Sequence, residues 1–158
     1  MKHTLSVLLV FLSITLSFGQ NVVQQYAGFK AAVGIQDNYP YLELGFARSV
    51  VGKQILTFSA SSEFTYSKKD KTLIVGPKLS YEFFVVPGPF GPGAKLSVVD
   101  YTNFKDHQLA IVPEVSLHVI GILGIGYGYN INLKEFNNLM YNPTHKFSIF
   151  LNLQRQIR

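Results

Sequence analysis

The chain contains no cysteine. That excludes a disulfide framework, a thiolate nucleophile and a cysteine-ligated metal. Charge is scarce as well: 15% of residues are charged, against roughly 25% in a typical soluble domain, so the nature of the surface becomes a question. No segment carries a helical period of useful length, and there is no long repeat. No His, Asp and Glu set has metal-ligand spacing, and no cofactor is expected. The formal charge of +5 is spread over separated lysines, apart from Lys68, Lys69 and Lys71; this is not the basic stripe of a nucleic-acid binder. Apolar residues (47%) and aromatics (14%) are plentiful, and 158 residues suffice for one domain with a real core.

Residues 1–19, MKHTLSVLLVFLSITLSFG, have a short basic start at Lys2 and an apolar run from Leu5 to Leu16. Ser17 and Gly19 are small residues at the −3 and −1 positions of a cut before Gln20. This pattern predicts a secretory signal peptide, with residues 20–158 as the mature domain. The run is well short of the ~20 residues of a membrane-spanning helix.

From about residue 26 the dominant period is two. Phe29, Ala31, Val33 and Ile35 share one face; Lys30, Ala32, Gly34 and Gln36 share the other. The same alternation runs through 41–48, 55–66, 73–85, 108–119 and 145–154. LGIGYGYNIN (123–132) has a glycine at every second position over its first half. A phosphate-binding glycine loop follows a strand and opens a helix. Here the glycines lie within the alternation, so the segment reads as a strand with almost no side chains on one face. Segment 94–104 fits least well, because Tyr101 leaves the face of Leu96 and Val98; a bulge near Val98–Val99 would restore the register. Turns are expected at 37–40, 50–53, 67–71, 87–93, 103–107, 120–122 and 133–144. The result is about eight strands in an all-β, antiparallel up-and-down barrel.

Composition of the second face decides which side meets solvent. A soluble barrel shows Lys and Glu there. In this chain that face is Gly, Ala, Ser, Thr and Asn, which suits the crowded interior of an eight-stranded barrel. Its few charges balance: Glu43, Glu63, Glu82 and Glu114 against Lys30, Lys78, Lys95 and Lys146. Buried charges must be paired, so an internal ion-pair network is expected, with Lys78 and Glu114 near mid-strand as one bridge. The apolar face then meets lipid, and Tyr41, Phe64, Tyr66, Tyr81, Phe83, Tyr127, Tyr129 and Phe147 are expected at the interfacial girdles.

In signal peptide, strand count and dyad pattern the chain resembles the small eight-stranded outer-membrane β-barrels of Gram-negative bacteria, of the OmpA/OmpX type. HKFSIFLNL (145–153) is similar to the terminal strand that the barrel-assembly machinery recognises. The resemblance implies an outer-membrane location, partnership with membrane lipid and with that machinery, periplasmic termini and four surface loops. Pro77 and Pro113 fall within strands, where a missing N–H interrupts a ladder. A barrel this narrow is filled by its own side chains, so the expected role is structural or interactive, without an open pore and without enzymatic activity.

Two other readings predict different chemistry. Some barrels of this architecture modify lipid A with a surface histidine, which directs attention to Asp106–His107; no serine is constrained beside it as a nucleophile. A soluble, lipocalin-like periplasmic barrel would enclose an apolar ligand instead. Glu43 and Glu63 as an acid/base pair, and Ser116 with His118 two positions away, are more simply interior packing; His145 opens the last strand. Lys68, Lys69 and Lys71 in SKKDKT form a hairpin tip that would contact lipopolysaccharide phosphates, each charge contributing roughly 1 kcal/mol.

Overall fold

The computed structural model describes residues 24–157 apart from 53, 68–70, 86–89, 137–140 and 142, with no side chains described for 134–136. The segment 1–19, expected to be a signal peptide, and the tip lysines Lys68 and Lys69 lie outside the described residues.

Strands are β1 (Gln24–Gln36), β2 (Tyr39–Val51), β3 (Ile55–Ser67), β4 (Thr72–Phe84), β5 (Phe90–Thr102), β6 (His107–Val119), β7 (Leu123–Tyr129), β8 (Ile131–Phe136) and β9 (His145–Gln156). β7 and β8 are separated by Asn130 alone and both pair with β6, so together they form one stave. Every pairing is antiparallel, and β9 pairs with both β7 and β1, which closes the sheet into an eight-stave barrel. Stepping along paired residues from Leu153 passes through Phe29, Phe46, Ala60, Leu79, Val98 and Ile111 to Ile131. The circuit ends about ten residues beyond its start, a stagger that tilts the staves by about 40°. A 13-residue strand at that tilt rises about 30 Å.

One end carries the hairpins after β1, β3, β5 and β8; the other carries those after β2, β4 and β6, the start of β1 and the end of β9. The first will be called the four-loop end, the second the termini end.

The prolines leave visible marks. The β4–β5 ladder has no pairs at Gly76 and Pro77. The β7–β8 stave breaks at Asn130, where the register on β6 faces Val112 and Pro113. A register shift lies between Leu109 and Ala110. No bulge occurs at Val98–Val99: β5 pairs with β6 without interruption from Phe90 to Thr102. Tyr101 leaves the outward face because it points inward and is 1% exposed. The strand after 123 is also longer than the alternation suggested, running on to Phe136.

Faces follow the period of two. Outside stand Phe29, Val33, Leu44, Phe46, Leu79, Val115, Ile125, Phe147, Ile149 and Leu153, all about half exposed or more. Inside, at the four-loop end, Ile74, Val99, Tyr101, Ala110, Val112 and Tyr141 form an apolar cluster with Tyr39 against it. At the termini end the His118 ring stacks on Phe84 with centroids 3.9 Å apart and meets Phe150 edge-on at 5.0 Å. Charged residues fill the space between.

Three of the expected girdle positions are different in kind. Tyr41 is an interior residue, 4% exposed; it lies on the same face as Glu43, as strand alternation requires. Tyr127 and Tyr129 stand outward but lie mid-stave, because that stave continues to Phe136.

Candidate functional site

All eight alternating charges, Lys30, Glu43, Glu63, Lys78, Glu82, Lys95, Glu114 and Lys146, are inside and at most 5% exposed. Glu43 and Glu63 face each other directly across β2 and β3, a placement that like charges oppose. Lys78 resolves it. Its Nζ donates to Glu43 Oε2 at 2.7 Å and to Glu63 Oε1 at 2.6 Å. Lys146 donates to the same Glu63 oxygen, and its ammonium lies 4.5 Å from the centre of the Tyr41 ring. Gln36 Nε2 donates to Glu63 Oε2 at 2.5 Å, and Ser61 Oγ to Glu43 Oε1 at 2.9 Å. Lys30 Nζ stands 3.7 Å from Glu43 Oε1. These residues come from β1, β2, β3, β4 and β9: Lys78–Glu63 and Lys30–Glu43 join neighbouring strands, while Lys78–Glu43 and Lys146–Glu63 reach across the barrel between strands that are not paired.

Toward the termini end, Lys95 Nζ donates to Glu114 Oε1 at 2.5 Å. Glu114 is therefore the partner of Lys95, and Lys78 is engaged by Glu43 and Glu63; the Lys78–Glu114 bridge does not form. Glu82 Oε1 accepts from the His118 side, 3.1 Å from Nε2. Ser116 Oγ is 3.0 Å from that same Nε2. A Ser–His–acid relay uses the two imidazole nitrogens separately. Here both partners share Nε2 and the buried Nδ1 has none, so this cluster packs the interior and lacks the geometry of a nucleophile site.

The glycines of 123–132 acquire a role from this packing. A Cβ on Gly126 would strike Glu114 Oε1 and lie 2.7 Å from Ser148 Oγ, and one on Gly124 would strike the Phe150 ring. The bare inner face of β7 is the space that the Glu114 carboxylate and Phe150 occupy.

Toward the four-loop end a layer of tyrosines lies over this network. Tyr101 Oη donates toward Gln36 Oε1 and Glu63 Oε2, each at 3.1 Å, and Tyr141 Oη to Gln36 Oε1 at 2.8 Å. The two rings meet edge-on at 5.1 Å. Burial holds the Tyr141 phenol well above its usual range, so it stays a donor. The sequence marks Tyr101 only as an interruption of the outward face and assigns no role to Gln36 or Tyr141. Gln36 shares the Lys30 face and was legible by alternation; Tyr141, in a connection, had no such signal.

Asp106 and His107 are not brought together as a pair. His107 Nδ1 lies 3.2 Å from Asp100 Oδ2, and Asp106 closes the turn with Asn103. His145 Nδ1 meets Tyr127 Oη at 2.8 Å. Lys71 is exposed in the β3–β4 turn. Among the described residues no three His, Asp or Glu side chains converge to hold a metal. Outside the barrel, a groove of about 510 Å³ runs over Ala94 and Pro113 between Tyr81 and Phe83 on one side and Tyr127 and Tyr129 on the other.

Comparison with protein-family models, with curated proteins and with solved structures finds no match to this chain.

Proposed function

We propose that this chain is a small integral outer-membrane β-barrel of the OmpA/OmpX type, exported by its signal peptide, with a structural or interaction role and no open pore. One observation carries the reading: the barrel is inverted relative to a water-soluble one. Large apolar side chains ring its whole perimeter, and all eight strand-borne lysines and glutamates of the alternating set are buried. A soluble monomer rarely exposes an apolar patch beyond a few hundred Å²; a bilayer is the solvent that suits a continuous one. Closure supports the same reading, because no backbone group in the hydrocarbon can go unpaired. So does the ~30 Å rise of the staves, which matches the hydrocarbon core. The β6–β7 turn, at the termini end, exposes Ile120 and Ile122, and Ile120 holds φ at +54°, a position where polar residues or glycine are usual.

A lipocalin-like function needs an apolar cavity inside; the described interior is occupied by ion pairs and by the Tyr101–Tyr141 and Phe84–His118–Phe150 layers. The same layers favour a closed barrel over a channel.

The test is electrophoretic mobility of the detergent-extracted membrane fraction with and without boiling in SDS. A heat-dependent shift is expected. Recovery in the soluble fraction, with a single band in both lanes, would overturn the reading.

A further inference from the structure

The outward faces of the strands hold very few charged groups, and their placement is uneven. Among the described residues, Asp100 and His107 stand at the four-loop end, 3.2 Å apart, with His145 on the same side of the barrel. At the termini end are Arg48 on β2 and Arg155 on β9, both exposed. Neither makes an ion pair with a carboxylate among the described residues.

The register brings these two together. Ala27 of β1 pairs with Arg48 on one side and with Arg155 on the other. The three side chains form one outward row across adjacent staves. Two strand spacings separate the arginines, about 10 Å, and both side chains are long enough to converge over the methyl group between them. Gln25, the next outward residue of β1, accepts from Arg48 Nη2 at 2.7 Å, which fixes one guanidinium and leaves its other donors free. One step toward the barrel's middle, the same three staves present Leu153, Phe29 and Phe46 as a paired row, 59%, 63% and 63% exposed, with the two phenyl centroids 4.7 Å apart.

From this arrangement we infer that Arg48, Ala27 and Arg155 form a site for the phosphate of a glycerophospholipid in the leaflet at the termini end. The inference rests on the membrane reading above. A guanidinium is the group best shaped to grip a phosphate through two oxygens at once. Two of them flank a gap that only a small side chain leaves open. The apolar row above the gap is where the acyl chains of the same lipid would begin. The occupant is a phospholipid in place of free phosphate because the anion gap and the apolar row are continuous on the same three staves.

Native mass spectrometry of the full mature barrel in detergent, with phosphatidylglycerol or diacylglycerol added, tests this. The parent protein is expected to retain phosphatidylglycerol well over diacylglycerol. R48Q/R155Q should lower phosphatidylglycerol retention about tenfold, and each single change about threefold. Ala27→Leu keeps both charges but fills the gap, and should lower retention by a similar factor; a merely basic rim would be indifferent to it. Diacylglycerol retention should not change in any variant. Equal phosphatidylglycerol retention by the parent, Ala27→Leu and the double variant, in a barrel that needs detergent and shifts on boiling, overturns the site alone. A protein that is soluble without detergent overturns the site together with the membrane reading.

Discussion

Replacing Lys78 by methionine isolates the ion-pair network. The change keeps an unbranched chain in the same space and removes one positive charge. Glu43 and Glu63 would then face each other across β2 and β3 with the shared ammonium gone. Breaking a buried pair by deleting one partner costs about 3–5 kcal/mol. Both carboxylates keep other donors, Lys146 and Gln36 on Glu63 and Ser61 on Glu43, so the expected loss is at the lower end, about 3 kcal/mol. For a chain of this size such a loss lowers the unfolding midpoint by about 6–12 °C. The assay is the fraction of fast-migrating, folded band after incubation across a temperature series, checked by a urea titration in micelles. A second variant, K30M/E43Q/K78M, removes Glu43 with both of its lysines and leaves Glu63 paired with Lys146. It is expected to recover to within about 1 kcal/mol of the parent, since a neutral replacement of a buried ion set is often close to neutral in stability. A Lys78→Met midpoint within about 0.5 kcal/mol of the parent would refute the reasoning; so would a triple variant weaker than the single.

Leu79→Lys, at an outward position that is 67% exposed, should cost about 2–4 kcal/mol in a bilayer; an unchanged or raised urea midpoint would place that face in water. Gly124→Val drives a side chain into the Phe150 ring and should cost about 1–3 kcal/mol by overpacking. Combined with Phe150→Ala it should lose less than the sum of the two single changes, and strictly additive losses would argue that the glycine face is not there to admit Phe150. Tyr101→Phe removes a buried hydroxyl placed between Gln36 and the Glu63 carboxylate and should lower stability by about 1.5–3 kcal/mol, read from the same urea titration. The parent barrel in a planar bilayer should give no steady conductance, and a persistent open level would overturn the proposal of a barrel without an open pore.

Much of this architecture was legible because a closed eight-stave barrel needs little more than a period of two. The faces of Phe29, Leu44, Leu79 and Ile149, and the inward set of Lys30, Glu43, Glu63 and Lys78, follow directly from it. What alternation cannot supply is stagger. Which lysine reaches which glutamate depends on how far the sheet slips on closing, and so Lys78 finds Glu43 two strands away while Glu114 falls to Lys95 on the adjacent one. Tyr101 and Tyr41 depart from the expectation of outward aromatics because the interior of the four-loop end is itself apolar around Val99, Val112 and Tyr141. The polar run after Asn132 predicts a turn, although β8 keeps its pairing with β6 to Phe136.

The glycine at every second position in LGIGYGY is then a matter of volume. An interior just wide enough for side chains holds, among the described residues, eight charged residues, three tyrosines, a histidine and two phenylalanines, and every large inward group needs a small one opposite. Phe150 lies across from Gly124, Lys146 from Gly128, and Ser148 from Gly126 on the paired stave. Tyr101 reaches toward Gly76, and Ser116 and His118 toward Gly93. The charged network and the glycine face are therefore one feature seen from two sides. Neither could change without the other, and a chain that kept its lysines and glutamates inside but replaced these glycines with larger residues would have no room to close.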